Sequence, residues 1–132
     1  MANAAKSSSQ LNVLYAEGNA EVLAAQADSL RAAGHHVETA LGRKAVEEVL
    51  RRSKYDLLVL GPTLTKNDRH HLPYMVKKAN EGIRVLVMHT DGERHPAVDA
   101  NLDTGRGMQD VVAKIATMWP KAEATKAAAA GR

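Results

Sequence analysis

The 132-residue chain has no cysteine, no phenylalanine, one tryptophan and three tyrosines. Without cysteine there is no disulfide framework, no thiolate nucleophile and no Cys-based zinc site. So few aromatic rings leave little surface on which single-stranded nucleic acid could stack. Apolar runs never exceed a handful of residues, too short for a membrane-spanning helix, and residues 1–10 are Ala/Ser-rich without the apolar stretch of a secretory signal. The expected location is the cytoplasm, with no membrane partner. A one-sided charge is also missing from the body of the chain. The formal net charge is +3, but Lys6 supplies one unit and residues 121–132 supply two, leaving residues 11–120 neutral. That balance argues against a nucleic-acid module, which needs a basic footprint.

What is present is an ordinary globular composition, 45% hydrophobic and 25% charged, in a length suited to one core. Residues 11–15 read as a buried strand. Asn19 is placed to cap a helix over 20–33, with Val22, Leu23, Ala27 and Leu30 at helical spacing and Gly34 closing it. Residues 36–40 read as a second strand, followed by a helix over 43–52 whose outer face carries Glu47 with Arg51 and Glu48 with Arg52. The run 55–60 is almost wholly apolar, as a central parallel strand should be, and Gly61-Pro62 stops it. A loop is expected to about His71, then a helix starting near Pro73 and ending at Gly82. Residues 84–88 read as another buried strand, 90–96 as polar loop and 98–102 as a short edge strand. Met108, Val111, Val112, Ile115 and Trp119 form the clearest amphipathic pattern, which Pro120 ends. Residues 1–10 and 120–132 are expected to be loose tails around one domain over 11–119.

Strands and helices alternating in this rhythm imply βαβ units. The expected fold is α/β, a flavodoxin-like three-layer sandwich with a five-stranded parallel sheet in the order 2-1-3-4-5.

Several constellations need weighing. Six histidines include the doublets His35-His36 and His70-His71. Neighbours point apart on a strand and diverge by about 100° on a helix, so neither doublet chelates alone. A metal site from His70 or His71 with His89, His95 and Asp91 is conceivable, but exposed loop histidines are the expectation, and no metal or cofactor is assigned. Asp103-Thr104-Gly105-Arg106-Gly107 precedes a helix and reads as a turn; its rival reading is an anion cradle assisted by Arg106. Arg51-Arg52-Ser53-Lys54 reads as a helix end matched to its dipole. No nucleophile and base pair marks an enzyme.

Across 11–119 the chain resembles the receiver domain of bacterial response regulators. The stretch from Val13 through Tyr15, Glu17 and Gly18 to Val22 is similar to the family's first strand and acidic turn. Tyr55 to Gly61 is similar to the strand ending at the phosphorylated Asp, and Val85 to Thr90 to the strand ending in Thr or Ser. Phosphotransfer in that family needs a carboxylate nucleophile, two acids for Mg²⁺, a hydroxyl and a Lys. By this resemblance Glu17 stands for the first acid, Gly18 replaces the second, Gly61 stands where the nucleophile belongs, and His89 takes the hydroxyl position, where a slip of one residue would put Thr90 instead. Thr104 falls at the Lys-Pro turn. Asp56 opens its strand at the end away from the pocket and reads as structural. Too few residues separate His89 from Asp103 for a full fourth helix.

The resemblance therefore implies a degenerate receiver that signals by phosphorylation-independent contact with other signalling proteins, or with a second copy of itself. Its last helix, with exposed Gln109 and Lys114, is the contact surface that the family implies. The alternative is a small-molecule or anion sensor using the crevice at the carboxyl edge of the sheet, with Asp68, Asp91 and Arg106 at its rim.

Overall fold

The computed structural model describes residues 11–79, 82–88, 97–102 and 107–119. Strand β1 (Asn12–Glu17) is buried from Val13 onward because it lies in the middle of the sheet, between β2 (His36–Leu41) and β3 (Leu57–Leu60). Beyond β3 come β4 (Arg84–Val87) and the two-residue β5 (Ala100–Asn101). All four pairings are parallel and the order is β2-β1-β3-β4-β5, the topology expected from the sequence. Continuous apolar sequence suits β3 and β4, which face helices on both sides; the edge strand β2 alternates instead.

Among the described residues four helices cover the sheet. On one face α1 (Ala20–Ala32) and α4 (Met108–Met118) pack Leu23, Ala27, Leu30, Val111 and Ile115 against Val13, Tyr15, Leu57, Val59 and Leu86. On the other, α2 (Gly42–Arg52) and α3 (Lys66–Ala79) pack Val46, Val49, Leu72 and Val76 against Leu14, Ala16, Leu58, Leu60 and Val85. Each buried Val, Leu or Ile among them contributes about 1.5–3 kcal/mol over its exposed state. Asn19 caps α1 as expected, accepting from the Val22 N–H at 3.0 Å. None of these described helices is long and apolar enough to cross a membrane.

Several boundaries differ from expectation, most by a residue or two, as in β5, which is Ala100–Asn101 rather than 98–102. β1 runs two residues further, to Glu17, because the β2 ladder continues to Leu41. β3 opens at Leu57; Asp56 stays outside it and clasps β1, donating its N–H to the Asn12 carbonyl and accepting from the Asn12 N–H at 2.8 Å on each bond. The largest difference is α3, which begins at Lys66 and holds Pro73 in its middle. Thr65 sets the start, its hydroxyl accepting from the Asp68 N–H at 3.0 Å, and the burial of Leu72, Pro73 and Val76 offsets the helix bond that Pro73 cannot make. His70 and His71 thus stand on an exposed helix rather than in a loop. The expectations of loose tails and of a missing helix between β4 and β5 lie outside the described residues.

The doublet His35-His36 splits as a strand entry should, His35 buried and His36 exposed. His35 Nδ1 accepts from the Leu11 N–H at 3.3 Å, and burial lowers its pKa from the ordinary 6.5. The folded state therefore binds this proton less readily than the unfolded chain does. Stability from this group is complete above the ordinary value and is lost as pH falls below it. Urea midpoints followed from about pH 8 to about pH 5 should decline below that point, and His35→Gln, whose amide oxygen can accept the same bond, should flatten the decline. An unchanged pH profile in the variant would remove His35 as its source.

Candidate functional site

The carboxyl edge of β1 and β3 brings together three of the residues singled out in the sequence. Glu17 ends β1 with its side chain fully buried. Its direction follows from strand alternation: residues 15 and 17 share a face, so the Tyr15 hydroxyl reaches the Glu17 carboxylate and donates to Oε2. The other oxygen, Oε1, accepts from the Thr63 N–H at 3.0 Å and from the Thr63 hydroxyl at 2.5 Å. With three donors aimed at it, a buried carboxylate can persist away from water. Burial first, then the hydrogen bond to Glu17 and its charge, push the Tyr15 pKa far above its ordinary range, so Tyr15 remains a donor. Gln26 Oε1 lies 3.3 Å from the same hydroxyl, a second acceptor on α1.

Gly61 follows β3, its N–H bonded to the Ala16 carbonyl at 2.9 Å. A Cβ built on it would fall inside the Glu17 carboxyl group, in contact with its carbon and both oxygens. Glu17 thus occupies the volume that any side chain at position 61 would need. Gly18 is confined in a comparable way, since a Cβ there would overlap the Thr63 carbonyl oxygen. The Gly18 and Asn19 N–H groups donate to Thr63 Oγ1 at 2.8 and 3.1 Å. One threonine in the turn after β3 therefore ties the first βα turn to the buried glutamate.

Asp68 sits in the first turn of α3, half-buried, with its carboxylate 3.9 Å from the Arg43 guanidinium of α2. His89, Thr104, Asp91 and Arg106 lie outside the described residues. Among the described residues no group of three or more His, Asp or Glu side chains is placed to hold a metal ion. Sequence reasoning missed Thr63, Tyr15 and Gln26. The Tyr15–Glu17 pairing was readable from their two-residue spacing on a strand; Thr63, 46 residues from Glu17, gave no such signal.

No protein-family model matches the sequence, and no curated protein matches it significantly. Solved structures do share its shape. A two-component response regulator from Clostridium difficile superposes with a TM-score of 0.69 at 17% identity, covering 81% of this chain and 93% of its own. A CheY-like response regulator receiver domain protein from Methanospirillum hungatei gives 0.72 at 16%, with 82% and 92% covered. A response regulator from Burkholderia pseudomallei, solved with a phosphorylated aspartic acid and a calcium ion, gives 0.70 at 17%, with 88% and 72% covered. The chain is thus similar in fold to response-regulator receiver domains, with Glu17 and Gly61 at the carboxyl edge of its two central strands.

Proposed function

We propose that this chain is a receiver-like signalling domain that takes no phosphoryl group and acts through protein–protein contact. One observation carries the reading: the Glu17 carboxylate fills the space above Gly61, the position that corresponds by resemblance to the phosphoacceptor. Glycine offers no oxygen to attack phosphorus. Glu17 is a poor substitute, because it is buried, held by three donors and closed off from an incoming phosphodonor. A second acid for Mg²⁺ is missing at Gly18, and the Thr63 carbonyl leaves no room for one. The same side chain disfavours the anion-sensor reading, because it already takes up the Tyr15 hydroxyl and both Thr63 donors at this edge.

Incubation with acetyl phosphate and Mg²⁺, followed by intact-mass measurement, should show no added phosphoryl group on the native chain. A hydroxylamine-sensitive increase of one phosphoryl would overturn the reading. Partner binding should likewise be indifferent to phosphodonor.

A further inference from the structure

Charge on this protein is sorted by helix layer. Helix α2 carries four cations against two anions and α3 four against one, so the pair is +5; α1 and α4 together are −1. This is invisible in a sequence whose residues 11–120 are neutral, because the topology alone puts the two basic helices side by side. Arg69 and Lys77 are engaged with backbone carbonyls and with Asp99. Lys44, Arg51 and Lys78 are solvent-exposed, as are Arg43, which lies 3.9 Å from both Glu47 and Asp68, and Arg52, whose Nε donates to the Glu48 carbonyl.

Between the two helices runs a groove of about 350 Å³, lined by Arg43, Glu47, His71, Tyr74, Met75 and Lys78. Tyr74 is 46% exposed, one of two large hydrophobic side chains so exposed among the described residues. An aromatic anchor beside a thioether, rimmed by cations, has the anatomy of a protein contact: an apolar centre with a charged border. Helix α2 also begins with Arg43 and Lys44 and has no acid in its first turn and no side-chain cap, so the positive pole of the helix adds to the same field.

We propose that the α2–α3 face docks an acidic amphipathic helix of a protein partner, with an apolar residue seated against Tyr74 and Met75 and carboxylates facing Arg43 and Lys78. Charge complementarity selects the occupant. Glu47, Glu48 and Asp68, interspersed among the cations, suit carboxylates spaced along a helix better than the unbroken phosphates of nucleic acid. The surface does not depend on the pocket at Gly61, so phosphorylation of the chain would leave this proposal standing.

The test is selection of helical peptides of mixed charge, displayed on phage, against the full chain. Enriched peptides should be acidic with an apolar anchor, and their affinity should fall about tenfold with Lys78→Glu, with Lys44→Glu and with Tyr74→Ala, and should weaken as salt rises. Arg31→Ala on α1, an exposed cation of the opposite helix layer, should leave it unchanged. The substituted side chains are all exposed, so circular dichroism should report intact folding. Absence of enrichment, enrichment of neutral or basic peptides, undiminished binding by the three face variants, or displacement of the peptides by duplex DNA would each overturn the proposal.

Discussion

Gly61→Asp, which supplies the side chain that receivers use as nucleophile, is expected to destabilise this protein by about 4 kcal/mol and to gain no phosphorylation. Its Cβ would enter the Glu17 carboxyl group, and its own carboxylate would place a second buried negative charge against the first. Neither side chain has an easy retreat, because Glu17 is held by Tyr15 and Thr63. Gly61→Ala isolates the steric part and should cost about 2–3 kcal/mol in urea unfolding, within a measurable range if the aspartate variant fails to fold. Pairing Gly61→Ala with Glu17→Ala should cost at least about 1 kcal/mol less than the sum of the single changes, since removing Glu17 opens the volume the methyl needs. Strict additivity would mean that the two positions do not compete for space.

Glu17 itself offers the second large effect. Glu17→Ala should cost about 3 kcal/mol, because it leaves a cavity, removes the acceptor of both Thr63 donors and leaves the Tyr15 hydroxyl only the longer bond to Gln26. Glu17→Gln should cost only about 1 kcal/mol. The amide oxygen can still accept from Thr63, and the Tyr15 hydroxyl can accept from the amide nitrogen while donating to Gln26. A solvated surface glutamate would give nearly equal, small effects for the two variants, so equality within error in denaturation midpoints would contradict the buried network.

Much of the architecture was legible because the strands carry their environment in their composition. The unbroken run Leu57-Leu58-Val59-Leu60 can only be covered on both sides, and with Val85-Leu86-Val87 it forces a parallel sheet between helix layers. Helices α1 and α4 announced themselves by spacing, and Asn19 by its capping position. Helix α3 is the exception: Pro73 suggests a first turn, but Thr65, three residues before Asp68, is itself a capping signal and marks the true start. A cap at the start and a buried face through Leu72, Pro73 and Val76 together sustain the helix across the proline.

The site was half legible. Gly61 and Gly18 stood out as missing side chains, but their physical reason comes from contacts far along the chain. Nothing local tells Gly18 that the Thr63 carbonyl will lie against it, or Gly61 that Glu17 will fold over it. The basic α2–α3 face is of the same kind: each helix is unremarkable alone, and the polarity exists only once the sheet order sets them together.

The central claim is that the Glu17 carboxylate fills the space above Gly61 that a phosphoacceptor side chain would need. Backbone amide chemical shifts during titration with Mg²⁺ and beryllofluoride, a phosphoryl mimic, test it most directly. The Gly18, Gly61 and Thr63 amide signals should stay in place throughout; saturable shifts of all three would show a pocket that opens and binds, and would contradict the account.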